Sequence, residues 1–516
     1  MRKYVVFILM LLYASGVTAQ PLQSFAQKRI KTSALLGAWW GGLAQYQQNG
    51  QTIFAVNEDQ RMAPASTLKI LTTAAALEKL GPQHRFQTRL YAQSAPDENG
   101  TLHGNLYLRG GGDMTLGSKR TRGGEEWTKV VRRWANAVEK AGIKRIEGRI
   151  VADVSLFEGP AIAPKVNWEN MGNYFASPAS ALCFNDNLFE IYFAPQPLPN
   201  QPAQVAATLP KIDNLALESF VTTDGKSNKD NAYVYGAPQQ YTLKIFGTIP
   251  TNLSGFSIKG AMPDPALFTA QALARALEEK QITVSSGPQT TAASPHYQPM
   301  VLLDTYFSPM LKDIVWVINK RSFNLYADVL LRHLALAQGE TGSIENGIKA
   351  LKRFLQENHL ADQTAAVIYD GSGLARDNML TPRTLVNTLN FVATRPYFND
   401  FYQSLATPDD RGDLLVLRYF LKSKKRIENV RVKGGTIDGV KALTGYLHDR
   451  EGHLISFALM ANNLMPDANE KISRMHEDII KQLLRLPPQT EKPQEKPEQE
   501  SQAEPQQEPQ GPAEKN

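Results

Sequence analysis

The sequence contains a single cysteine, Cys183, among 516 residues. One cysteine excludes an intramolecular disulfide, so the folded body has to be stabilised by its core alone. Cys183 stands in the apolar context "SALCFNDN", which favours a buried thiol over a catalytic one. The eight histidines show no His-x-x-x-His or comparable paired spacing. We therefore expect no metal site, and no cofactor is needed for the chemistry described below.

Long apolar runs are absent beyond the first twenty residues, so no membrane-spanning helix is expected after them. The N-terminus combines a basic "MRK", an apolar "YVVFILMLLY" and the small residues "VTA" before Gln20. This pattern predicts a cleaved secretory signal over residues 1–19 and a periplasmic protein. The alternative is an uncleaved anchor.

Clusters that mix basic and aromatic residues are also lacking, which argues against a nucleic-acid partner although the formal net charge is +6. A mildly basic body suits an anionic polymer or surface instead. From Pro487 onward the chain is rich in Pro, Gln and Glu and has no large apolar residue. Such a segment cannot form a core, so residues 487–516 are predicted to be a disordered tail.

The body divides by pattern into three parts. The stretch "STLKILTTAAALEKLG" predicts a helix between Ser66 and Gly81, and a pair of helices is expected with a break near residues 320–323. Between them lie strand-like runs such as "LYLRG", "LFEIYFA" and "YTLKIFGTI". We predict one domain formed from residues 20–92 and 300–486, with a β-rich insert over residues 93–299.

Ser66 and Lys69 are the first candidates for catalysis. Residues three apart share one face of a helix, so a lysine here can take the proton of the serine if its pKa is lowered. The alternative is an N-cap serine followed by a surface lysine, and the pattern alone favours that alternative.

Ser322, Phe323 and Asn324 stand at the predicted break between two helices. A hydroxyl and an amide separated by one residue on a tight turn can both face a cleft, where they relay a proton and hold a carbonyl. A capping pair for the following helix is the simpler alternative.

The stretch "NVRVKGGTI" predicts a strand with Lys433 followed by Gly434 and Gly435. A glycine within a strand often marks the close approach of a ligand or another backbone. A hairpin turn at the glycine pair is the alternative. Another glycine-rich stretch, "GGGDMTLGSK", is not a phosphate-binding loop, because it lacks the sequence Gly-Lys-[Ser/Thr]. The stretch "GSG" lacks the Gly-x-Ser-x-Gly elbow that carries the nucleophile of α/β-hydrolases.

Taken in order, Ser-x-x-Lys, Ser-x-Asn and the lysine–glycine strand resemble the signature of active-site-serine enzymes that handle penicillin and D-Ala-D-Ala peptides. The stretches "APASTLKILTTAAALEKLG", "LYLRGGGDMTL" and "DGSGLARDNMLTP" extend the resemblance to the D-alanyl-D-alanine carboxypeptidase/endopeptidase family, the class C low-molecular-mass penicillin-binding proteins of the penicillin-binding protein 4 type. The resemblance implies an α/β (α+β) fold. It would be a β-lactamase-like serine transpeptidase domain, an antiparallel sheet with helices on both faces, carrying a large β-rich insert of one or two subdomains.

The resemblance also implies a role for each motif residue. Ser66 would be the acylated nucleophile and Lys69 its general base. Ser322 would pass a proton to the departing D-Ala, and Asn324 would position the lysine and the substrate amide. Lys433 would support the charge distribution around Ser322 and the terminal carboxylate of the substrate.

Substrate contacts are implied for Gly435, Thr436, Asp153 and Arg376. The backbone N–H groups of Ser66 and Thr436 would form the oxyanion hole. Asp153 would meet the amino end of the diaminopimelate side chain, and an ordinary solvated aspartate is the alternative there. Gly434 departs from the family pattern, which has Thr or Ser at this position, so weaker ligand binding is expected.

The implied function is a serine-type DD-peptidase that cleaves D-Ala-D-Ala, and also D-Ala–diaminopimelate cross-links, of peptidoglycan. Its partners would be stem peptides and β-lactam antibiotics, with no nucleic acid, and the tail is interpreted as a tether to the cell-wall machinery. Two alternatives stay open: a non-catalytic peptidoglycan-binding scaffold on the same fold and, less favoured by the residues, a β-lactamase.

Overall fold

The computed structural model describes residues 20–30, 35, 37–225, 230–251, 253–408 and 429–486. The predicted signal over residues 1–19 and the predicted tail over residues 487–516 lie outside the described residues. Within the described part of the chain, no helix is both long and apolar enough to cross a bilayer.

The helices are α1 (Gln20–Ile30), α2 (Lys69–Leu80), α3 (Trp127–Lys140), α4 (Pro265–Glu278), α5 (Leu311–Arg321), α6 (Asn324–Leu336), α7 (Ile344–Glu357), α8 (Pro382–Ala393), α9 (Phe398–Ser404) and α10 (Asn469–Leu483).

The strands are β1 (Trp39–Tyr46), β2 (Thr52–Val56), β3 (Gln87–Ala92), β4 (Thr101–Leu102), β5 (Leu106–Arg109), β6 (Arg145–Ile146), β7 (Ile150–Asp153), β8 (Leu188–Phe193), β9 (Val205–Leu209), β10 (Ala216–Asp224), β11 (Tyr233–Tyr235), β12 (Thr242–Pro250), β13 (Ser257–Ala261), β14 (Thr283–Val284), β15 (Gln289–Thr291), β16 (Val301–Phe307), β17 (Val430–Ile437), β18 (Val440–His448) and β19 (Leu454–Asn462).

Both ends of the described chain build one antiparallel sheet, with the strand order β17-β18-β19-β1-β2. Strand β1 pairs with β19 from Trp39 opposite Asn462 to Tyr46 opposite Ile455. The central strand β19 is buried along almost its whole length, since both faces of the sheet are covered by helices. Helices α1 and α10 cover one face, and a helical layer that includes α2 and α8 covers the other. The predicted sheet with helices on both faces is confirmed.

The insert has a hydrophobic core of its own, in which Trp134 of α3 stacks on Phe184 at 6.1 Å between ring centroids. Around this core lie a five-stranded sheet in the order β15-β7-β5-β3-β16 and the three-stranded sheets β10-β12-β11, β13-β8-β9 and β14-β6-β4. Cys183 is fully buried next to it, and burial raises the pKa of its thiol to about 12. The prediction of a buried, unreactive thiol is thereby confirmed.

Two strands of the five-stranded sheet lie at the predicted bounds of the insert, residues 93 and 299, which stay a prediction. Strand β3 begins at Gln87 and pairs antiparallel with β16, which ends at Phe307, so the five-stranded sheet reaches beyond both bounds. The chain therefore enters and leaves the insert on adjacent strands of one sheet. The sequence pattern missed this because two neighbouring strands far apart in the chain carry no local signal of their pairing.

Candidate active site

Ser66 lies in a 3-10 turn, Ala65–Leu68, that leads directly into α2. The turn follows Pro64, and Ala65 has a φ of 46°, a left-handed conformation that is uncommon for a residue with a Cβ atom. Such strained backbone is frequent where a reactive side chain must be held in one place. The turn positions Ser66 at the wall of a cleft, with Lys69 one turn further along.

Lys69 is completely buried and is held by three oxygen atoms. Its Nζ lies 3.0 Å from Ser66 Oγ, 2.6 Å from Asn324 Oδ1 and 2.5 Å from the carbonyl oxygen of Ser372. The hydroxyl of Ser66 and the amine of Lys69 are thus within proton-transfer distance. The alternative of a capping serine with a surface lysine is excluded by this burial and by these contacts.

The protonation of Lys69 is set by two opposing effects. Burial disfavours the charged ammonium and lowers the pKa of Lys69 to about 8, while the nearby carboxyl groups of Asp328 and Asp370 act to raise it. Burial and the neighbouring Asp370 raise the pKa of Asp328 to about 7, and burial also raises the pKa of Asp370. A substantial fraction of Lys69 is therefore neutral near pH 8 and able to accept a proton.

Ser322 occupies the break between α5 and α6, as the sequence predicted. It has a left-handed conformation, with φ 56° and ψ 35°, at the end of α5. Its Oγ accepts a hydrogen bond of 2.8 Å from Lys433 Nζ. Asn324 begins α6, and its Nδ2 donates to the carbonyl oxygen of Phe175 at 2.7 Å. Phe175 belongs to the predicted insert, so Asn324 connects Lys69 to the insert.

Lys433 lies on β17, which runs past the 3-10 turn that carries Ser66. A Cβ atom added to Gly435 would lie 2.7 Å from the carbonyl oxygen of Pro64 and 3.0 Å from Ser66 N, so only glycine allows the strand this close. Burial and the neighbouring charge of Lys69 lower the pKa of Lys433 well below its usual value. The glycine-containing strand is confirmed, and a hairpin turn at Gly434 and Gly435 is excluded because the turn follows Ile437.

The loop that reads "DGSGLAR" packs beneath the turn that carries Ser66. Asp370 accepts hydrogen bonds of 2.7 Å from the backbone N–H groups of Gly373 and Ala375. Gly373 has a φ of 81°, and a Cβ atom there would collide with the carbonyl oxygen of Ala65. The loop is thereby fixed so that the carbonyl of Ser372 points at the amine of Lys69.

The cleft at Ser66 has a volume of about 640 Å³ and lies between the catalytic domain and the insert. Ser322, Asn324, Arg376 and Thr436 line it on the catalytic side. Arg376 donates a hydrogen bond to the carbonyl oxygen of Asp438, in the turn that follows β17. The structure thus brings Arg376 and Thr436 to the cleft. The remaining residues of its wall, several of them from the insert, are Arg120, Asn167, Glu169, Asn170, Tyr174, Phe175, Tyr233, Tyr235, Lys259, Arg321, Phe323, Gly373, Leu374, Ile437, Asp438 and Asn469.

Asp153 is the one predicted site residue that the structure places away from these others. It ends β7 and is 1% exposed, with Oδ2 accepting from Tyr297 Oη at 2.6 Å and Oδ1 from Ser155 N at 2.8 Å. It is not among the described residues that line the cleft. An ordinary solvated aspartate is thus excluded by its burial, and contact with a diaminopimelate side chain stays a prediction.

Sequence reasoning missed Asp328, Asp370 and the carbonyl of Ser372. Asp328 stands one helical turn after Asn324 on α6, a spacing that puts both side chains on the same face. Asp370 and Ser372 belong to a stretch from which only Arg376 was selected. The spacing that indicates Asp328 was therefore present in the sequence. No residue pattern indicates the direction in which the backbone carbonyl of Ser372 points.

Known proteins are similar to this chain over nearly all of its described length. The D-Ala-D-Ala carboxypeptidase 3 (S13) family matches residues 22–483. A D-alanyl-D-alanine carboxypeptidase of Actinomadura sp. (strain R39) is 26% identical over 462 residues, which cover 87% of this chain and 82% of that protein. The D-alanyl-D-alanine carboxypeptidase DacB of Haemophilus influenzae is 26% identical over 437 residues, which cover 82% of this chain and 85% of that one.

Among solved structures, penicillin-binding protein 4 of Haemophilus influenzae superposes with a TM-score of 0.74 at 21% identity, covering 91% of this chain and 100% of that chain. This likeness confirms the predicted fold. The family match spans the three motifs, Ser66 to Lys69, Ser322 to Asn324 and Lys433 to Thr436. The chain therefore belongs to the D-Ala-D-Ala carboxypeptidase 3 (S13) family.

Proposed function

We propose that this chain is a serine DD-peptidase that hydrolyses the D-Ala-D-Ala bond of peptidoglycan stem peptides through an acyl-enzyme on Ser66. The observation that carries the proposal is the 3.0 Å contact between Ser66 Oγ and the buried amine of Lys69. A serine with a neutral lysine beside it can be activated without a histidine. Membership of the S13 family supports the same reaction.

In the acylation step, Ser66 Oγ forms a bond to the carbonyl carbon of the penultimate D-Ala while its proton passes to Lys69 Nζ. The developing oxyanion is stabilised by backbone N–H groups at the cleft wall, for which we propose those of Ser66 and Thr436. The C–N bond to the terminal D-Ala then breaks, and that nitrogen takes a proton through Ser322. Water hydrolyses the resulting ester and restores the hydroxyl of Ser66.

Endopeptidase action is proposed as a second activity at the same site. Its cleft is lined by charged side chains of both signs, including Glu169, Lys259 and Arg321. A carboxypeptidase needs room for only one terminal D-Ala, whereas a cross-link brings a second stem peptide with its own charged groups. Side chains of the insert give the cleft a wall that such a second peptide can contact.

A periplasmic location and a signal over residues 1–19 belong to this proposal, supported by the sequence pattern at the N-terminus. The two alternatives make different demands on the site. A non-catalytic scaffold has no need of a buried lysine whose pKa is lowered to about 8. A β-lactamase needs a group that activates water for fast deacylation, and none was identified from the sequence.

The proposal is tested by incubating the purified protein with a labelled penicillin and locating the adduct by mass spectrometry. We expect a long-lived adduct on Ser66, none in Ser66→Ala, and release of D-Ala from a peptide ending in D-Ala-D-Ala. Lack of an adduct on Ser66 at any time would rule out the catalytic role. Rapid penicillin turnover without release of D-Ala would identify a β-lactamase instead.

A further inference from the structure

The three-stranded sheet β10-β12-β11 has an unusual solvent-facing surface. Its inner face is apolar and buried, as expected for a sheet that covers the core of the insert. The outer face carries Phe220, Phe246 and Tyr233, which are 54%, 43% and 43% exposed. The solvent face of a sheet that covers a core on one side is normally polar, and contiguous exposed apolar surface marks a site of interaction.

These rings are held in contact with one another. Phe220 and Phe246 are paired residues on parallel strands, and their rings stack at 4.8 Å with only 8° between their planes. The ring of Tyr235 meets Phe246 edge-on at 5.5 Å. The ring centroid of Trp168, a residue that is 69% exposed, lies 5.0 Å from that of Tyr235. We call the series Trp168–Tyr235–Phe246–Phe220 the aromatic row, since each ring fixes the orientation of the next.

The aromatic row begins at the catalytic cleft. Tyr235 lines the cleft together with Tyr233, its neighbour two positions earlier on β11, and Asn167 and Asn170 flank Trp168 there. Burial and the neighbouring carboxylates of Asp438 and Glu169 raise the pKa of Tyr233. Phe246 and Phe220 lie beyond the cleft, on the next two strands. The row is therefore a continuous surface that leads from the cleft out across the insert.

We infer that the aromatic row binds the glycan strand of peptidoglycan, a polymer of N-acetylated amino sugars, while the attached stem peptide occupies the cleft. This inference rests on the proposed function, because the peptide substrate is covalently joined to such a polymer. One face of a pyranose ring consists of C–H bonds, which are apolar and slightly positive, and it packs against the negative face of an aromatic ring. The hydroxyl and acetamido groups at the ring edge need polar partners, which Glu218 and Lys244 provide beside Phe220 and Phe246.

A membrane surface fits the aromatic row less well. Binding to anionic headgroups requires clustered lysine and arginine side chains around the exposed aromatic groups. Here carboxylates flank both ends of the row, Glu169 beside Trp168 and Glu218 beside Phe220, and Lys244 is paired with Glu218 at 3.5 Å. Neutral sugar rings tolerate these carboxylates and donate hydrogen bonds to them from their hydroxyl groups, whereas anionic lipid would be repelled.

The test measures the affinity of the full chain for a soluble tetramer of N-acetylglucosamine by calorimetry and tryptophan fluorescence. We expect Phe220→Thr/Phe246→Thr to weaken binding at least fivefold, because threonine keeps the strand propensity and removes both rings. Phe307→Thr is the matched control. This phenylalanine is 50% exposed on a strand of another sheet, and its replacement should leave the affinity unchanged. Trp168→Ala, on an exposed 3-10 turn, should reproduce the loss without altering the sheet.

Two parallel measurements separate the outcomes. Equal affinity for the tetramer in the wild type, the double phenylalanine variant and Trp168→Ala overturns the inference. The inference is also overturned if these variants keep their affinity for the tetramer but no longer co-sediment with phosphatidylethanolamine–phosphatidylglycerol vesicles to which the wild type binds. Penicillin acylation of Ser66 is followed in the same preparations. If the wild type is acylated but does not bind the tetramer, only the glycan-binding role of the aromatic row is rejected. If it binds the tetramer but is not acylated, glycan binding by the row is supported and the proposed peptidase activity is rejected.

Discussion

Lys441 donates a hydrogen bond from Nζ to Thr436 Oγ1 at 3.0 Å, across the paired strands β17 and β18. Because one lone pair of this hydroxyl is engaged by the ammonium group, its O–H is directed to an acceptor such as the terminal carboxylate of a substrate. The positive charge stands opposite Thr436, two positions along β17 from Gly434, where the family pattern has a hydroxyl side chain. The structure thus provides a compensating group that the sequence motif did not indicate.

Lys441→Gln is expected to raise the KM for a peptide ending in D-Ala-D-Ala about fivefold, since a partly exposed charge contributes about 1 kcal/mol. The effect should diminish at high salt because exposed charges are screened. Steady-state release of D-Ala at low and high ionic strength measures both effects. Lys441→Arg keeps the charge and serves as the control. Equal KM values for all three proteins would show that Lys441 has no role in binding.

Gly434→Thr is expected to increase the rate of acylation by penicillin. Threonine restores the hydroxyl that the family pattern has at this position, two residues before Thr436, which lines the cleft. Stopped-flow measurement with a fluorescent penicillin gives the second-order rate constant. A rate equal to or below that of the wild type would mean that the site has adapted to glycine.

Gly435→Ala is the matched control for that substitution. Its Cβ atom would lie 2.7 Å from the carbonyl oxygen of Pro64 and displace the strand from Ser66. We expect acylation to fall at least a hundredfold, since small displacements of a reacting group have large effects. Adjacent glycines in one motif should therefore respond in opposite directions.

The acylation rate should rise with pH through about 8, as Lys69 loses its proton and becomes a base. Asp328→Asn removes a carboxylate that raises the pKa of Lys69, so its pH profile should move to lower pH. The amide keeps an oxygen for the 2.9 Å hydrogen bond from Gly371 N. Rate constants for penicillin between pH 5.5 and 10 provide the measurement. A shift to higher pH in this variant would contradict the assigned electrostatics.

Asn324→Asp should move the same profile in the opposite direction. The new carboxylate lies at the position of an oxygen 2.6 Å from Lys69 Nζ, so it stabilises the protonated amine and raises its pKa. It also removes the hydrogen bond to the carbonyl of Phe175, and we expect the maximal rate to fall about tenfold or more. Asn324→Ala removes the same hydrogen bond without adding charge, and it should lower the rate with a smaller shift in pH dependence.

The sequence predicted those features that depend on residue identity at short spacing. Ser66 and Lys69 are one turn apart, Ser322 and Asn324 flank a helix break, and glycine is required where β17 passes Ser66, as all three patterns indicated. These local features are encoded by neighbouring residues, which is why their geometry could be anticipated.

Features that depend on distant parts of the chain escaped prediction. The pairing of β3 with β16 joins residues about two hundred positions apart. The contact of Lys69 with the carbonyl of Ser372 spans 303 positions and involves a backbone atom that every residue possesses. The aromatic row was likewise not predicted, because its four rings come from separate segments, and the sheet register brings together only those of Tyr235, Phe246 and Phe220.

The sharing of one sheet between β1 and β19 has a consequence for biosynthesis. Ser66 is made early and Lys433 late, and the sheet that positions both of them closes only when residues up to Asn462 are available. The insert, with its own core, can fold while the remaining chain is still being produced, whereas the catalytic domain depends on contacts of very large sequence separation, which form slowly. A truncated product that lacks β19 would therefore carry Ser66 without the sheet that places Lys433 beside Ser322.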